Sequence, residues 1–244
     1  MKILESLNLA RVMYFPLTRK ERERYLGLVR ERVSYYSPLI EQKTGADLGD
    51  VEVKEYRYVI GDICRENKRK LLTELKELHN GKLGKFDELS IEMMYLTIRP
   101  IGELFRMTAE EFISMKVYNS SIYVGFGMLS KIEALNCLQK GESPYLDHVL
   151  IHELSHVLWD RLSDNMLHRN NFSAVWNEGF ATYCERKHFR EFYPSESKIG
   201  EYPGKIYEIG EQRIRAVVER HGIEALLEIP NRWEEFEREL SCEK

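Results

Sequence analysis

A chain of 244 residues and 28.9 kDa, with 43% hydrophobic side chains, has enough apolar material for one ordinary core or for two lobes that share a site. Its 36 basic and 40 acidic side chains give a formal net charge of -4 and are spread without a basic block, which excludes nucleic acid as the expected partner. Nowhere do about eighteen apolar residues run together, so a membrane span is excluded on length.

The start, MKILESLNLARVMYFP, is an apolar run broken by Glu5, Asn8 and Arg11, and it predicts no signal peptide. From Thr18 to Thr44 the apolar residues Tyr25, Leu28, Val29, Val33, Tyr36, Leu39 and Ile40 recur at helical spacing; Pro38 is expected to kink or split that helix, and Gly45 to close it. The alternation of Val51, Val53 and Tyr56 with charged residues predicts a strand. A charged helix, RENKRKLLTELKELHNG, follows and should end at Gly81. Its KRK reads as a solvated face. LSIEMMYLTI fits either a strand or a buried helix. SSIYVGFGM, with Gly125 and Gly127, predicts a strand at an exposed sheet edge.

Beyond Gly141 the pattern turns helical. Ser143 and Pro144 make an N-cap and first-turn pair for a helix that turns Leu146, Leu150, Leu154, Val157 and Leu158 to the core. SAVWNEGFATYCERKHFREF predicts another helix, ending near Pro194. Two more are expected, from Ile206 to Arg220 with Gly222 as the stop, and from Pro230 to Leu240. Cys64, Cys137, Cys184 and Cys242 contain no CxxC pair, and read as reduced thiols of a cytoplasmic protein, with Cys184 a packing residue.

The chemistry concentrates in HELSH. Residues four apart share a helix face, so His152 and His156 can aim two imidazoles at one point, with Glu153 beside them. Two neutral nitrogens can hold a metal while a neighbouring carboxylate takes a proton from water, which is the division of labour metal-assisted hydrolysis needs. The plain alternative is a core helix with satisfied histidines. A catalytic zinc wants a third protein ligand. The metzincin pattern would place it at residue 162 with glycine at 159, where this chain has Leu162 and Trp159. Glu178 offers it instead, in a helix whose interior Gly179 asks for a reason such as close helix packing that would bring the carboxylate up to the histidines. Asp160, Glu185 and the Asn177 backbone are candidates to orient the imidazoles. His79, His148, His188 and His221 read as surface or helix-end residues.

HELSH followed by WNEGFATYCE resembles the gluzincins, above all the zinc aminopeptidase branch with its HExxH and downstream NExxA, and HELSHVLWD resembles the same stretch of thermolysin-like peptidases. YEIG, from Tyr207 to Gly210, is similar to the YEKG of that branch. The resemblance covers roughly the C-terminal 100 residues. It implies a zinc ion held by His152, His156 and Glu178, Glu153 as general base, and Tyr207 as the donor to the transition-state oxyanion, with Tyr202 in reserve. It implies an α+β, zincin-like metallopeptidase fold: a single catalytic domain with a small mixed sheet and the active-site helix in a lobe of about residues 1–160, and a helical lobe of about 161–244. The glutamate that the aminopeptidase branch uses to capture a free amine is missing from the stretch Gly125 to Ser130. The expected activity is therefore a cytoplasmic endopeptidase acting on a peptide or protein substrate, in preference to an aminopeptidase. Two other classes fit the same residues: a zinc-binding regulatory protein without activity, and a zinc hydrolase acting on a different amide or ester.

Overall fold

A computed structural model describes residues 17–78, 91–95, 115–118, 120–140, 144–163, 171–193 and 204–242. Among them the protein is mostly helical with a small three-stranded mixed sheet, an α+β composition. In chain order the elements are α1 (Arg19–Thr44), β1 (Glu52–Glu55), α2 (Val59–Leu78), β2 (Met115–Tyr118), β3 (Ser121–Val124), α3 (Met128–Lys140), α4 (Pro144–Leu162), α5 (Asn171–Tyr183), α6 (Lys205–His221) and α7 (Ile229–Ser241). A π-helical turn, Cys184–His188, extends α5, and a 3-10 segment, Ile223–Glu228, joins α6 to α7. The expectations that involve Ser143, Gly81, His79, Pro194 and Tyr202 lie outside the described residues.

The chain forms two compact units, one of Met1–Leu17, Lys54–Lys116 and Tyr123–Ile132, the other of Thr18–Val53, Val117–Ile122 and Glu133–Lys244. In the first, Asp62 on α2 accepts the Tyr123 hydroxyl and pairs with Lys54 at 3.4 Å. Residues 91–95, within the ambiguous LSIEMMYLTI, are helical. Each strand contributes residues to both units. The sheet order is β1-β3-β2, so β3 is paired on both sides and all four of its residues are buried. The exposed-edge expectation for SSIYVGFGM is thereby corrected: a strand flanked by two partners has no free ladder groups to offer a peptide.

Helix α1 of the second unit starts in a capping box between Thr18 and Glu21 and ends on Gly45 at φ 70°. Pro38 does not split it. Pro38 and Ser34 are both exposed, so the helical hydrogen bond that the proline removes is lost on the solvent side of the helix. α1 buries Tyr25, Leu26, Val29, Val33, Tyr36 and Ile40, and Leu28 and Leu39, expected in the core, are half-buried at its margin. Helix α4 is buried on nearly every side although it carries Asp147, three histidines and Ser155 among its apolar residues. Leu146, Leu150, Leu154, Val157 and Leu158 are fully or almost fully buried, and α4 packs on α1, α5, the π-turn and α7. Arg161 near its end donates to the Leu48 carbonyl at 3.0 Å, tying it to the loop after α1. No helix among the described residues is long and apolar enough to cross a membrane. All four cysteines are free.

The helix predicted over residues 173–192 changes pitch at Cys184. Phe189 N–H donates to the Cys184 carbonyl at 2.7 Å, a π-type bond, and a 3-10 turn, Arg190–Phe192, follows. The turn buries Glu185 and Cys184 and leaves His188 half-buried, its Nε2 without a hydrogen-bond partner among the described residues. Burial, reinforced by the Lys43 charge and only partly offset by Glu191, pushes the His188 pKa from 6.5 down to about 4. Between those values the unfolded chain takes up a proton that the folded chain refuses, so stability is complete above about pH 6.5 and falls as the pH drops toward 4. The loss is on the order of 3 kcal/mol at most. Denaturant unfolding of wild type and His188→Gln at pH 7 and pH 4.5 should show a smaller acid loss in the variant; equal losses would remove His188 from the account.

Candidate metal centre

α4 places histidines at 148, 152 and 156, one helical turn apart, and so on one side of a buried helix. The second helix, α5, brings Glu178 against the latter two: its Oε2 lies 3.4 Å from His152 Nε2 and 3.3 Å from His156 Nε2. The three donor atoms all fall within 4.8 Å of one another. Donors 2.0–2.2 Å from a tetrahedral zinc are separated by roughly 3.3–3.6 Å, so both histidine–glutamate separations suit such an ion. Two imidazole nitrogens and one carboxylate oxygen also form a known catalytic zinc set. The side chains present therefore fit the metal that the sequence implies.

The far side of each imidazole is occupied. His156 Nδ1 donates to the Asn177 side-chain oxygen at 2.6 Å, which leaves Nε2 as the nitrogen that faces Glu178. His152 Nδ1 stands 3.4 Å from Glu185 Oε2. Glu185 thus orients His152, and for Asn177 it is the side chain, not the backbone, that orients His156. Seven residues separate Glu178 from Glu185, close to two helical turns, which is why both carboxylates face α4. His148, read from sequence as a surface or helix-end residue, is buried and pairs with the other Glu185 oxygen. The signal that could have found it is the repeat of histidine at 148, 152 and 156 on one helix. His221 is exposed and pairs with Glu239, as a helix-end residue would, and Cys184 is a buried packing residue.

The electrostatics call for a cation. Burial opposes protonation of His156, but the charge of Glu178 and its hydrogen bond, with Glu153 and Asn177 behind them, push its pKa up to about 9. For His152, burial is likewise outweighed, here by the neighbouring carboxylates of Glu178 and Glu185. Burial would raise Glu178, and the two imidazoles instead hold it far below the usual carboxylate range. Protons therefore occupy the cluster in the metal-free protein, and metal binding has to displace them. Glu178 is also the most accessible of the three, with 30% of its side chain exposed, so the donor set is open to solvent on one side.

No protein-family model matches the chain, and none of the curated proteins or solved structures does either. Identity of the site thus rests on its own chemistry, including how Tyr207 arrives there. Its ring lies 6.1 Å from that of His152, on the first turn of α6. Burial first, then the charges of Glu178 and Glu153, push its phenol up to about 12, so it keeps its proton at neutral pH.

The interior Gly179 packs against α6, not against the histidine helix as the sequence reading supposed. A Cβ on Gly179 would stand 2.2 Å from the Gly210 carbonyl carbon, and one on Gly210 would stand 2.3 Å from the Val175 carbonyl oxygen. The two helices meet backbone to backbone, a spacing no side chain permits. That contact sits one helical turn from Tyr207 and one residue from Glu178, so it sets the carboxylate and the phenol relative to each other. On the other flank Trp159 packs edge-on against Phe180 at 5.4 Å, filling the position where a metzincin needs glycine. Gly210→Ala should destabilise the protein by at least about 1 to 3 kcal/mol, as overpacking does. Gly27→Ala, mid-α1 with nothing within 4 Å of the added methyl, should stabilise it by up to about 1 kcal/mol. Chemical unfolding of both variants decides the matter, since equal effects at the two glycines would contradict the close approach.

Proposed function

We propose that the protein is a zinc-dependent metallopeptidase of gluzincin type with a zincin-like fold, in which His152, His156 and Glu178 hold the metal. The observation that carries the reading is the convergence of these three donors beside Glu153 and Tyr207. A zinc ion bound there would polarise the scissile carbonyl and lower the pKa of a coordinated water toward neutrality.

The chain supplies the rest. Glu153 sits next to a ligand on the same helix, and its charge is felt by His152, His156 and Tyr207. As general base it takes a proton from the attacking water and passes it to the departing nitrogen, leaving its own carboxylate ready for the next turnover. Tyr207, still a phenol at pH 7, donates its O–H to the developing oxyanion, a contribution of about 2.7 to 4 kcal/mol for a well-placed donor. Glu185 and Asn177 hold the imidazoles so that Nε2 is the coordinating atom of each. Cleavage within a peptide or protein substrate is preferred to removal of its first residue, because Gly125 to Ser130 contains no carboxylate to capture a free amine. Four free thiols support a cytoplasmic setting.

Glu153→Gln should retain one zinc per chain and lose roughly 100- to 10,000-fold in peptide cleavage, the usual span for a general base. Glu178→Ala should lower zinc content in metal analysis, and Tyr207→Phe should slow turnover with metal content unchanged. A peptide-library digest with the wild type decides between readings: zinc bound without cleavage of any peptide would favour a regulatory zinc protein, and hydrolysis restricted to small amides or esters a different hydrolase. Full activity in Glu153→Gln would sink the mechanism.

A further inference from the structure

We propose that His148 is a positioning residue for this metal centre: it anchors one oxygen of Glu185 and thereby presents the other to His152. The proposal rests on the zinc reading above.

Glu185 is fully buried on the π-turn, and its two oxygens serve two imidazoles of the same helix. Oε1 pairs with His148 Nδ1, and Oε2 lies 3.4 Å from His152 Nδ1. The carboxyl torsion of a glutamate is broad, so one partner at that distance does not fix the plane of the group. A second partner on the opposite oxygen does. His148 is itself held edge-on between the rings of Tyr145 at 6.1 Å and Tyr193 at 6.3 Å, which makes it a rigid anchor. Neither Glu185 oxygen has a geometrically strict hydrogen bond among the described residues, so the two imidazoles are the groups that face its charge in a dry interior. Without His148, Oε1 would lose the cation-capable ring beside it, which is costly, and the carboxyl group would turn toward whatever donor remained. His152 would then lose the contact that aims its Nε2 at Glu178. Direct ligation by His148 is not part of this arrangement, since the metal donor set among the described residues comprises His152, His156 and Glu178. Three histidines on one face of α4 thus divide into two ligands and one anchor.

The test uses the full chain and measures zinc affinity by chelator competition, with the visible spectrum of the cobalt-substituted protein as a second readout. His148→Phe keeps the ring and its edge contacts but removes the donor. It should weaken zinc binding by about ten- to a hundredfold, the usual cost of losing an outer partner, and shift the cobalt bands. His148→Asn places an amide N–H near the original Nδ1 and should restore binding to within about threefold of wild type and return the bands. Should His148→Phe fail to fold, His148→Leu carries the same comparison. In a Glu185→Gln background His148→Phe should add little further loss, because the anchor acts only through the carboxylate. Wild-type zinc affinity in folded His148→Phe or His148→Leu, or a loss undiminished in the Glu185→Gln background, would overturn the positioning role alone. A wild-type chain that takes up no zinc would overturn the metal reading and this role with it.

Discussion

The second unit is organised around a helix that is buried on nearly every side and yet carries three imidazoles. Burying a polar ring without partners costs free energy, so every other feature of the site can be traced to the way α4 is compensated. Helix α5 supplies Glu178 and Asn177, the π-turn supplies Glu185, and together they account for both nitrogens of His152 and His156. The arrangement is not self-neutralising. Glu153, Glu178 and Glu185 raise the proton affinity of His152 and His156 against the effect of burial, the signature of a cluster built to surround a positive charge.

Geometry at a distance from the donors enforces their positions. The backbone contact between Gly179 and Gly210 brings α6 closer to α5 than side chains would allow, and it does so between the turn that carries Glu178 and the turn that carries Tyr207. Trp176 extends the same packing: its indole N–H donates to Glu237 of α7 at 2.8 Å, and Arg213 of α6 pairs with that carboxylate, also at 2.8 Å. α5, α6 and α7 are thereby cross-linked by polar groups just behind the site. Such a supporting frame suits the proposed centre, whose chemistry would depend on sub-ångström placement of a base and an oxyanion donor.

Much of this was legible in the sequence where local pattern decides it. The four-residue spacing of His152 and His156 dictates a shared face in any helix, and the apolar stripe from Leu146 to Leu158 placed that helix inside. Glu178 was legible through the interior glycine beside it, although the reason for Gly179 proved to be α6. The unread features are long-range. His148 looks like any helix-end histidine until Glu185 is seen beneath it, and Glu185 reaches it only because α5 widens into a π-turn, a change of pitch that periodicity does not reveal. Whether β3 lies at an edge or in the centre depends on which strands pair with it, and β1 precedes it by more than sixty residues.

The proposed centre depends on a metal held by two imidazole nitrogens and one carboxylate oxygen. Zinc K-edge X-ray absorption of the stoichiometrically loaded chain tests it most directly. The expected spectrum is a four-coordinate shell of nitrogen and oxygen at about 2.0–2.2 Å with the outer scattering of two imidazole rings and no sulfur. A sulfur shell at about 2.3 Å, or a shell without imidazole scattering, would contradict it.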